Sequence, residues 1–367
     1  MRPPGRIAGG PVLLITHADG GGVERIVQQE AARHRAAGRR VLILRPDAAA
    51  GRGREVGLET PDAPPGRFAL PGQRPALLAA LRDAEPAEIT LHHLLGHPPS
   101  VPGLIAAIGV PYTVHIHDYA WFCPRVQLVR PIEGAPRYCG EPAPQGCVAC
   151  IAAHGSLLDE RIGPRALRAR SAALLAGARE IRVPSRDAAH RIARQFPGIA
   201  PVVDPPEDDA VLPRPAPPPT RPGPTLIAVP GALGPAKGLA LLRACAEDAA
   251  RRALPLGFVV VGYTEDDAAL RATGRVTLTG PSAPDQAVPL LRAQGARVGF
   301  LPSIWPETWC FALSDLLAAG LDVVAFDIGA PAERLRALGR GRLLPPGLDP
   351  ARVNHILLER AAGAVHE

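Results

Sequence analysis

The single lysine of this chain stands in a glycine-rich segment with the composition of a phosphate-binding turn. Of the 41 lysine and arginine residues one is a lysine, Lys237, in the run Pro-Gly-Ala-Leu-Gly-Pro-Ala-Lys-Gly at 230–238. A strand-like run at 226–229 precedes it, and a helical pattern starts near Leu239. A mobile point charge and the N–H groups of a helix start both favour a nucleotide's phosphates. The segment is not a P-loop, because Ala236 and not a glycine immediately precedes the lysine, and Gly238 stands where a Ser or Thr would hold magnesium. A chance surface lysine is the alternative.

Two carboxylates eight residues apart follow another strand-like run. Glu307 is expected in a loop and Asp315 on the next helix, with Thr308, Trp309, Cys310 and Phe311 directly after the first acid. Carboxylates accept paired hydrogen bonds from a diol, which is how a ribose is commonly held. Taken alone, the pair could also be two solvated acids.

Polar and glycine residues also follow two strand-like runs of the first half. Gly21 and Gly22 come after the first run, where a backbone can approach a ligand closely. The sequence there is not a dinucleotide fingerprint, because Arg25 stands where the third small residue belongs. His115 and His117 end a later strand. We interpret His115 as a core histidine and His117 as the better candidate for a ligand site.

Four cysteines, spaced C-x15-C-x7-C-x2-C, lie close together in the sequence: Cys123, Cys139, Cys147 and Cys150. The last pair has the spacing of a zinc knuckle, and four thiolates make a closed tetrahedral zinc site. We therefore predict a structural zinc here. Buried thiols and an iron–sulfur cluster are the alternatives, and disulfides fit a cytoplasmic chain less well.

The composition excludes some classes of function. The chain has 367 residues, 47% of them hydrophobic, and a net charge of +6 without a basic tract. This pattern argues against nucleic acid as a partner. No apolar run reaches the roughly 18 residues of a membrane span, and the N-terminus lacks a secretion signal. We expect a cytoplasmic bacterial protein, and peripheral contact with the inner membrane face stays open.

Short strands alternate with amphipathic helices, which predicts parallel α/β layers. We expect an N-terminal domain over 1–203 with a cysteine-bearing insertion at 119–150, a proline-rich linker at 204–224 and a C-terminal domain over 225–367. Two such domains imply a cleft with ligands at the carboxyl ends of the strands. The insertion lies beside His117 in the sequence and is expected to shape the acceptor side.

In this order, the segments resemble the retaining family 4 glycosyltransferases, which have the GT-B fold of two Rossmann-like domains facing each other across a cleft. The resemblance rests on six stretches: 21–25, His117-Asp118, 183–185, 231–238, the pair Glu307 and Asp315, and 318–325. It spans nearly the whole chain and is more specific in the C-terminal half.

The resemblance implies a donor and a role for each site residue. The donor is a nucleotide diphosphate sugar, with Gly231 and Lys237 at its diphosphate and Asp315 at its ribose. Glu307 and the backbone of 308–311 would face the donor sugar, and His117 with Gly21 and Gly22 would close the site. Of these, His117, Lys237 and Glu307 are the candidate catalytic residues. No cofactor is required for catalysis. The implied reaction moves a hexose to a glycan or lipid-linked acceptor in cell-surface polysaccharide synthesis.

Three positions depart from the family pattern. Ala232 stands where an arginine is often found, Asp315 replaces a glutamate, and Thr308-Trp309-Cys310 replaces Gly-Phe-Gly. These departures leave a catalytically weakened sugar-nucleotide binding protein as an alternative. Another GT-B enzyme, such as an epimerase, is a further alternative, although the acid pair argues against it.

Overall fold

The computed structural model describes residues 9–47, 53–61, 63–212, 216 and 223–363. The chain divides into two compact units. The first takes residues up to 126 together with 142–206, and the second takes 127–141 together with the chain from 207 onward. The predicted insertion is therefore shared between the units. Of the predicted linker, residues 213–215 and 217–222 lie outside the described part.

The described residues form sixteen strands, numbered here in chain order. They are β1 Val12–Ile15, β2 Val41–Pro46, β3 Glu55–Thr60, β4 Ala63–Ala69, β5 Glu88–Leu91, β6 Tyr112–His115, β7 Val129–Ile132, β8 Ala135–Tyr138, β9 Glu180–Val183, β10 Val202–Val203, β11 Thr225–Leu233, β12 Leu256–Thr264, β13 Val276–Leu278, β14 Val298–Leu301, β15 Asp322–Phe326 and β16 Arg342–Leu344.

Twelve α-helices connect the strands of the described chain. They are α1 Gly21–Ala36, α2 Arg74–Ala84, α3 Val101–Ile108, α4 Pro144–His154, α5 Pro164–Gly177, α6 Arg186–Gln195, α7 Leu239–Arg251, α8 Asp267–Ala272, α9 Ala287–Ala293, α10 Phe311–Ala318, α11 Gly329–Leu338 and α12 Pro350–Gly363. No helix of the described residues has the length and apolar character needed to cross a bilayer.

The first unit is built on an eight-stranded sheet in the order β10-β9-β6-β5-β1-β2-β3-β4. The strands from β10 to β2 pair in parallel, and β3 and β4 add an antiparallel edge. Every residue of β1 is fully buried, as expected for a central parallel strand covered on both faces. In this order β6, β5 and β1 are neighbours, so the residues that follow them meet at one edge.

The second unit is built on a six-stranded parallel sheet in the order β13-β12-β11-β14-β15-β16. One face packs against α7 and α12 through residues such as Leu242 and Leu357. The other face packs against α9, α10 and α11, for example through Leu291 and Leu313. The predicted α/β class is confirmed in both units.

Three features of the fold differ from the sequence prediction. The hairpin β3–β4 was not predicted, because its proline- and glycine-containing second strand has no apolar alternation. Helix α4 forms within the insertion, for which no helix was predicted, and α5 begins only at Pro164. Strand β11 continues to Leu233 by pairing with β12, so Gly231 lies in the strand and the turn starts at Gly234.

The β7–β8 hairpin is antiparallel and belongs to the second unit. It lines an apolar cavity of about 460 Å³ together with residues of that unit, among them Tyr138, Leu241, Phe326 and Ile328.

Candidate functional site

The lysine turn of the second unit is held against the loop after β14. Gly238 directly precedes α7 with a φ of +80°, and a Cβ atom there would lie 2.0 Å from the carbonyl oxygen of Pro302. Only glycine fits this contact. The N–H of Ile304 also donates to the carbonyl of Ala236 at 3.0 Å. The turn and the loop are therefore held together through their backbones.

Lys237 is half-buried in this turn and lies near the buried carboxylate of Glu307. The negative charge of Glu307 raises the pKa of Lys237, while burial acts in the opposite direction. The ammonium is therefore charged at neutral pH. Among the residues that the structure describes, no side chain forms a hydrogen bond or ion pair with it. A shielded cation without such a pair favours an anionic ligand.

The backbone of Glu307 is fixed by the start of α11. Its N–H donates to the carbonyl of Trp305, and its own carbonyl accepts from the N–H of Ala330, both at 2.8 Å. Gly329 has a φ of +69°, and a Cβ atom there would lie 2.6 Å from the Cα atom of Pro306. The helix start therefore packs directly on the peptide that carries the carboxylate.

The predicted donor-side residues between the two acids follow this loop into α10. Thr308, Trp309 and Cys310 are buried, and Cys310 has a φ of +101° just before the helix. Burial raises the pKa of the Cys310 thiol, so it is protonated at neutral pH. Phe311 and Asp315 lie half-buried on α10, one and five residues further. Their predicted contacts with a donor stay predictions.

A buried arginine on α11, Arg334, holds the same loop and was not predicted. Its guanidinium donates to the carbonyl of Cys310 and to Ser314 Oγ, both at 2.8 Å. It also lies over the ring of Trp309, 3.9 Å from the ring centre. This arginine therefore contacts three points of the segment between Trp309 and Ser314.

Two acids from the segment that precedes β11 complete this network. Asp209 accepts from Arg334 Nη2 at 2.5 Å and from Nε at 2.9 Å. Glu207 accepts from Ser314 Oγ at 2.5 Å and from the indole N–H of Trp309 at 3.3 Å. The partners are more than 100 residues apart in the chain, and no local sequence signal reports such a pairing.

In the first unit, His117 faces a second histidine that the sequence reasoning did not single out. Its Nε2 lies 3.0 Å from Nδ1 of His92, which directly follows β5. Burial, followed by the neighbouring imidazoles, lowers the pKa of His117 well below its usual value. The His92-His93 doublet at a strand end was the signal that could have revealed this cluster. Gly21 and Gly22 form the first turn of α1.

His115 is half-buried rather than part of a closed core, so its interpretation as a core histidine is corrected in part. Burial, with the neighbouring His92, lowers its pKa to about 3. It lies 4.8 Å from His92 between ring centres.

The four cysteines of the predicted zinc site are divided between the units. Cys139 belongs to the second unit and the other three to the first. Cys147 Sγ accepts from Arg168 at 3.6 Å and lies 3.8 Å from the carbonyl of Pro142. Within the described part of the first unit, Cys123, Cys147 and Cys150 form no group with all ligand atoms within 4.8 Å. Zinc binding by these cysteines stays a prediction.

The two sheets and their connections define a GT-B fold, and comparison with solved structures agrees. HepE from Anabaena, in complex with UDP, is similar at 14% identity, with 95% of this chain and 89% of that chain covered and a TM-score of 0.58. Sucrose-phosphate synthase from Thermosynechococcus elongatus is similar at 14% identity, over 97% and 90% of the two chains, with a TM-score of 0.59. The lipopolysaccharide outer core galactosyltransferase WaaB is similar at 13% identity, over 96% and 91%, with a TM-score of 0.53.

Residues 224–358 match the family model described as Glycosyl transferases group 1. This region contains the lysine turn, both acids and Arg334. No curated protein matches the chain. These findings confirm the predicted GT-B fold class. At identities of 13% and 14%, the likeness to the solved structures shows the fold and nothing further.

Proposed function

We propose that this chain is a retaining glycosyltransferase that uses a nucleotide diphosphate sugar. The observation that carries the proposal is Lys237, a shielded cation without an ion-pair partner among the described residues, beside buried Glu307 in a glycine-rich turn. The match of 224–358 to Glycosyl transferases group 1 supports it. The UDP and UDP-glucose complexes of HepE support a nucleotide-sugar donor.

The proposed reaction uses the charges of the second unit. The bond between the anomeric carbon and the diphosphate oxygen breaks, and Lys237 stabilises the negative charge that develops on the leaving diphosphate. The acceptor hydroxyl oxygen bonds to the same face of the anomeric carbon, and its proton goes to a phosphate oxygen. Glu307 would face the donor sugar and Asp315 the ribose. No protein base and no metal cofactor is needed for this step.

The finer assignments belong to the same proposal. The transferred group would be a hexose, and the acceptor a glycan or lipid-linked sugar of cell-surface polysaccharide synthesis. The enzyme would act in the bacterial cytoplasm, at times against the inner membrane face. His117, with Gly21 and Gly22, would contact the donor from the first unit.

The proposal is tested by calorimetric titration of UDP, GDP and ADP into the wild type and Lys237→Ala. We expect saturable binding of one nucleotide, weakened about 10- to 100-fold in Lys237→Ala, because hydrogen bonds to a charged group are worth about 1.5–3 kcal/mol. Lys237→Arg should also bind poorly, since the planar guanidinium is too wide for the turn. Arg243→Ala is the matched control, because Arg243 is an exposed cation on α7 paired with Glu247. Absence of nucleotide binding in the wild type would reject the proposal.

A sugar-nucleotide binding protein is the second candidate. Two positions favour it. Ala232 is exposed where the family that the chain resembles often has an arginine for the phosphates, and Asp315 is one methylene shorter than the glutamate usual at its position. Nucleotide binding without release of nucleotide from any donor, across a panel of acceptors, would select this candidate. Where turnover occurs, the anomeric configuration of the product, read by NMR, tests retention.

A further inference from the structure

The structure brings six of the eleven histidines of the chain to the carboxyl ends of three neighbouring strands. They follow or end β1, β5 and β6: His17, His92, His93, His97, His115 and His117. Three of them, His92, His115 and His117, offer ring nitrogen atoms that all lie within 4.8 Å of one another. Among the described residues, these three form the one group of at least three possible metal ligands whose ligand atoms lie this close together.

The spacing of these nitrogens suits a tetrahedral metal ion. Nδ1 of His92 and Nε2 of His117 are 3.0 Å apart, and their rings are stacked with an interplanar angle of 13°. Two imidazole nitrogens bound to one zinc ion at about 2.0–2.1 Å lie roughly 3.3 Å apart. A shift of a few tenths of an ångström would therefore admit an ion between them.

The second nitrogen of His92 is oriented by a carboxylate. Nε2 of His92 lies 3.2 Å from Oε2 of Glu30 on α1, and both residues are buried. Oε1 of Glu30 accepts a hydrogen bond from Thr90 Oγ1 at 2.8 Å. A carboxylate this close to Nε2 favours a proton on that nitrogen, and Nδ1 of the same ring then has a lone pair available for a metal ion. This arrangement is typical of metal-binding histidines.

The cluster is reachable from solvent. His115 and His117 line a cavity of about 410 Å³ that lies wholly in the first unit. Arg33 and Arg182 line the same cavity, and Arg182 is paired with Glu180 and Asp204. An ion held by three histidines would keep a fourth position toward this space, open to water or to an anion drawn by the arginines.

We propose that His92, His115 and His117 form a binding site for a divalent transition metal ion of the zinc type, with Glu30 orienting His92. Neutral imidazole ligates Zn²⁺, Co²⁺, Ni²⁺ and Cu²⁺, whereas Mg²⁺ and Ca²⁺ prefer oxygen ligands. The site uses none of the residues of the predicted cysteine site or of the lysine turn. An ion would engage His117, which is also a candidate catalytic residue, so the two assignments compete for this residue.

The test is metal binding by the full chain after treatment with EDTA and gel filtration. Zn²⁺ is titrated calorimetrically, and Co²⁺ is followed by its visible absorption. We expect tetrahedral cobalt bands without a thiolate charge-transfer band, and binding at least about tenfold weaker in His115→Ala, which lacks one of three ligands. His190→Ala is the matched control, because His190 is exposed on α6 of the same unit. It should bind as the wild type does.

A second variant keeps all three ligands. Glu30→Gln should weaken zinc binding by about 10- to 100-fold, the usual effect of removing an outer-shell partner, with circular dichroism confirming that each variant is folded. The proposal is overturned if the wild type binds neither ion or if His115→Ala binds as tightly as the wild type. It is also overturned if Cys150→Ser removes all bound cobalt together with a thiolate band. If the wild type binds neither ion, the contact between His92 and His117 is an ordinary hydrogen bond.

Discussion

The two parallel sheets carry opposite kinds of polar chemistry at the carboxyl ends of their strands. In the first unit these positions hold imidazoles, and burial lowers the pKa of His17 and of His97 to about 4. In the second unit they hold Lys237 beside Glu307, and Arg334 of α11 pairs with Asp209 next to the same loop. The same architecture thus supports a cluster of buried imidazoles in one unit and a network of buried ion pairs in the other. The fold therefore determines where a site can lie, and the residues of the loops determine which chemistry it has.

The two clusters should therefore respond to different perturbations. Imidazoles whose pKa is lowered by burial are disturbed by protons, because each protonation puts a positive charge among buried rings. A charged cluster is disturbed by removal of one partner, because the other is left buried with its charge uncompensated.

The largest expected effect is the loss of Arg334. Arg334→Leu removes hydrogen bonds to Cys310, Ser314 and Asp209 and leaves Asp209 without its cation. We expect the second unit to lose about 3–5 kcal/mol of free energy of unfolding, the usual cost of breaking a buried ion pair. Urea unfolding followed by tryptophan fluorescence measures it, because Trp309 lies against Arg334.

Arg336→Leu is the control on the same helix. Its partner is Asp327, and both side chains are more than one-third exposed, at 58% and 39%. An exposed pair contributes about 1 kcal/mol or less. Equal losses in the two variants would show that the Arg334 network does not hold the loop.

A smaller effect should be a difference between the two units in how their free energy of unfolding depends on pH. Between about pH 6.5 and 4 the unfolded chain binds more protons at His17 and His97 than the folded unit does, so the free energy of unfolding falls as the pH is lowered. By about pH 5 the loss is on the order of 2 kcal/mol for each histidine. Hydrogen exchange with EDTA present, read by mass spectrometry for each unit, should show earlier opening of the first unit.

Two variants sharpen this prediction. His17→Asn should remove part of the pH dependence of the first unit. His355→Gln should leave it unchanged, because His355 is half exposed on α12 of the second unit. If the second unit opened first on acidification, the contrast between the imidazole cluster and the ion-pair network would be wrong.

The smallest effect concerns the contact between α11 and the Glu307 loop. In Gly329→Ala the new Cβ would lie 2.6 Å from Pro306 Cα, whereas in Gly339→Ala at the other end of α11 nothing lies within 4 Å. Both glycines have positive φ, so both variants share a conformational cost of about 1 kcal/mol. We expect Gly329→Ala to lose about 1–2 kcal/mol more and to weaken nucleotide binding, measured by thermal unfolding and titration. Identical behaviour of the pair would mean that the loop adjusts freely.

The sequence predicts the fold well where the strands are apolar. The runs at β1 and β14 are continuous apolar segments, and each is fully buried. The hairpin β3–β4 escapes prediction because its pairing, and not its composition, makes it a sheet edge. The extension of β11 to Leu233 likewise depends on pairing with β12.

The candidate site was predictable only where its residues share a local segment. Lys237 and Glu307 are visible as motifs, because each lies in a turn of distinctive composition. Arg334 is invisible in the sequence, because its partner Asp209 is 125 residues away and ordinary helix positions also carry arginine. His92 could have been found, because a histidine doublet at a strand end parallels the pattern at His115 and His117.

Because the β7–β8 hairpin belongs to the second unit, cutting the chain at one position cannot separate the two units. The polypeptide passes from one unit to the other three times, at residues 126–127, 141–142 and 206–207. A fragment that starts at 207 would lack the hairpin and expose the apolar surface at Phe326 and Ile328 that Tyr138 helps to enclose. Chimeras that exchange one half for that of a relative must therefore carry residues 127–141 with the C-terminal half.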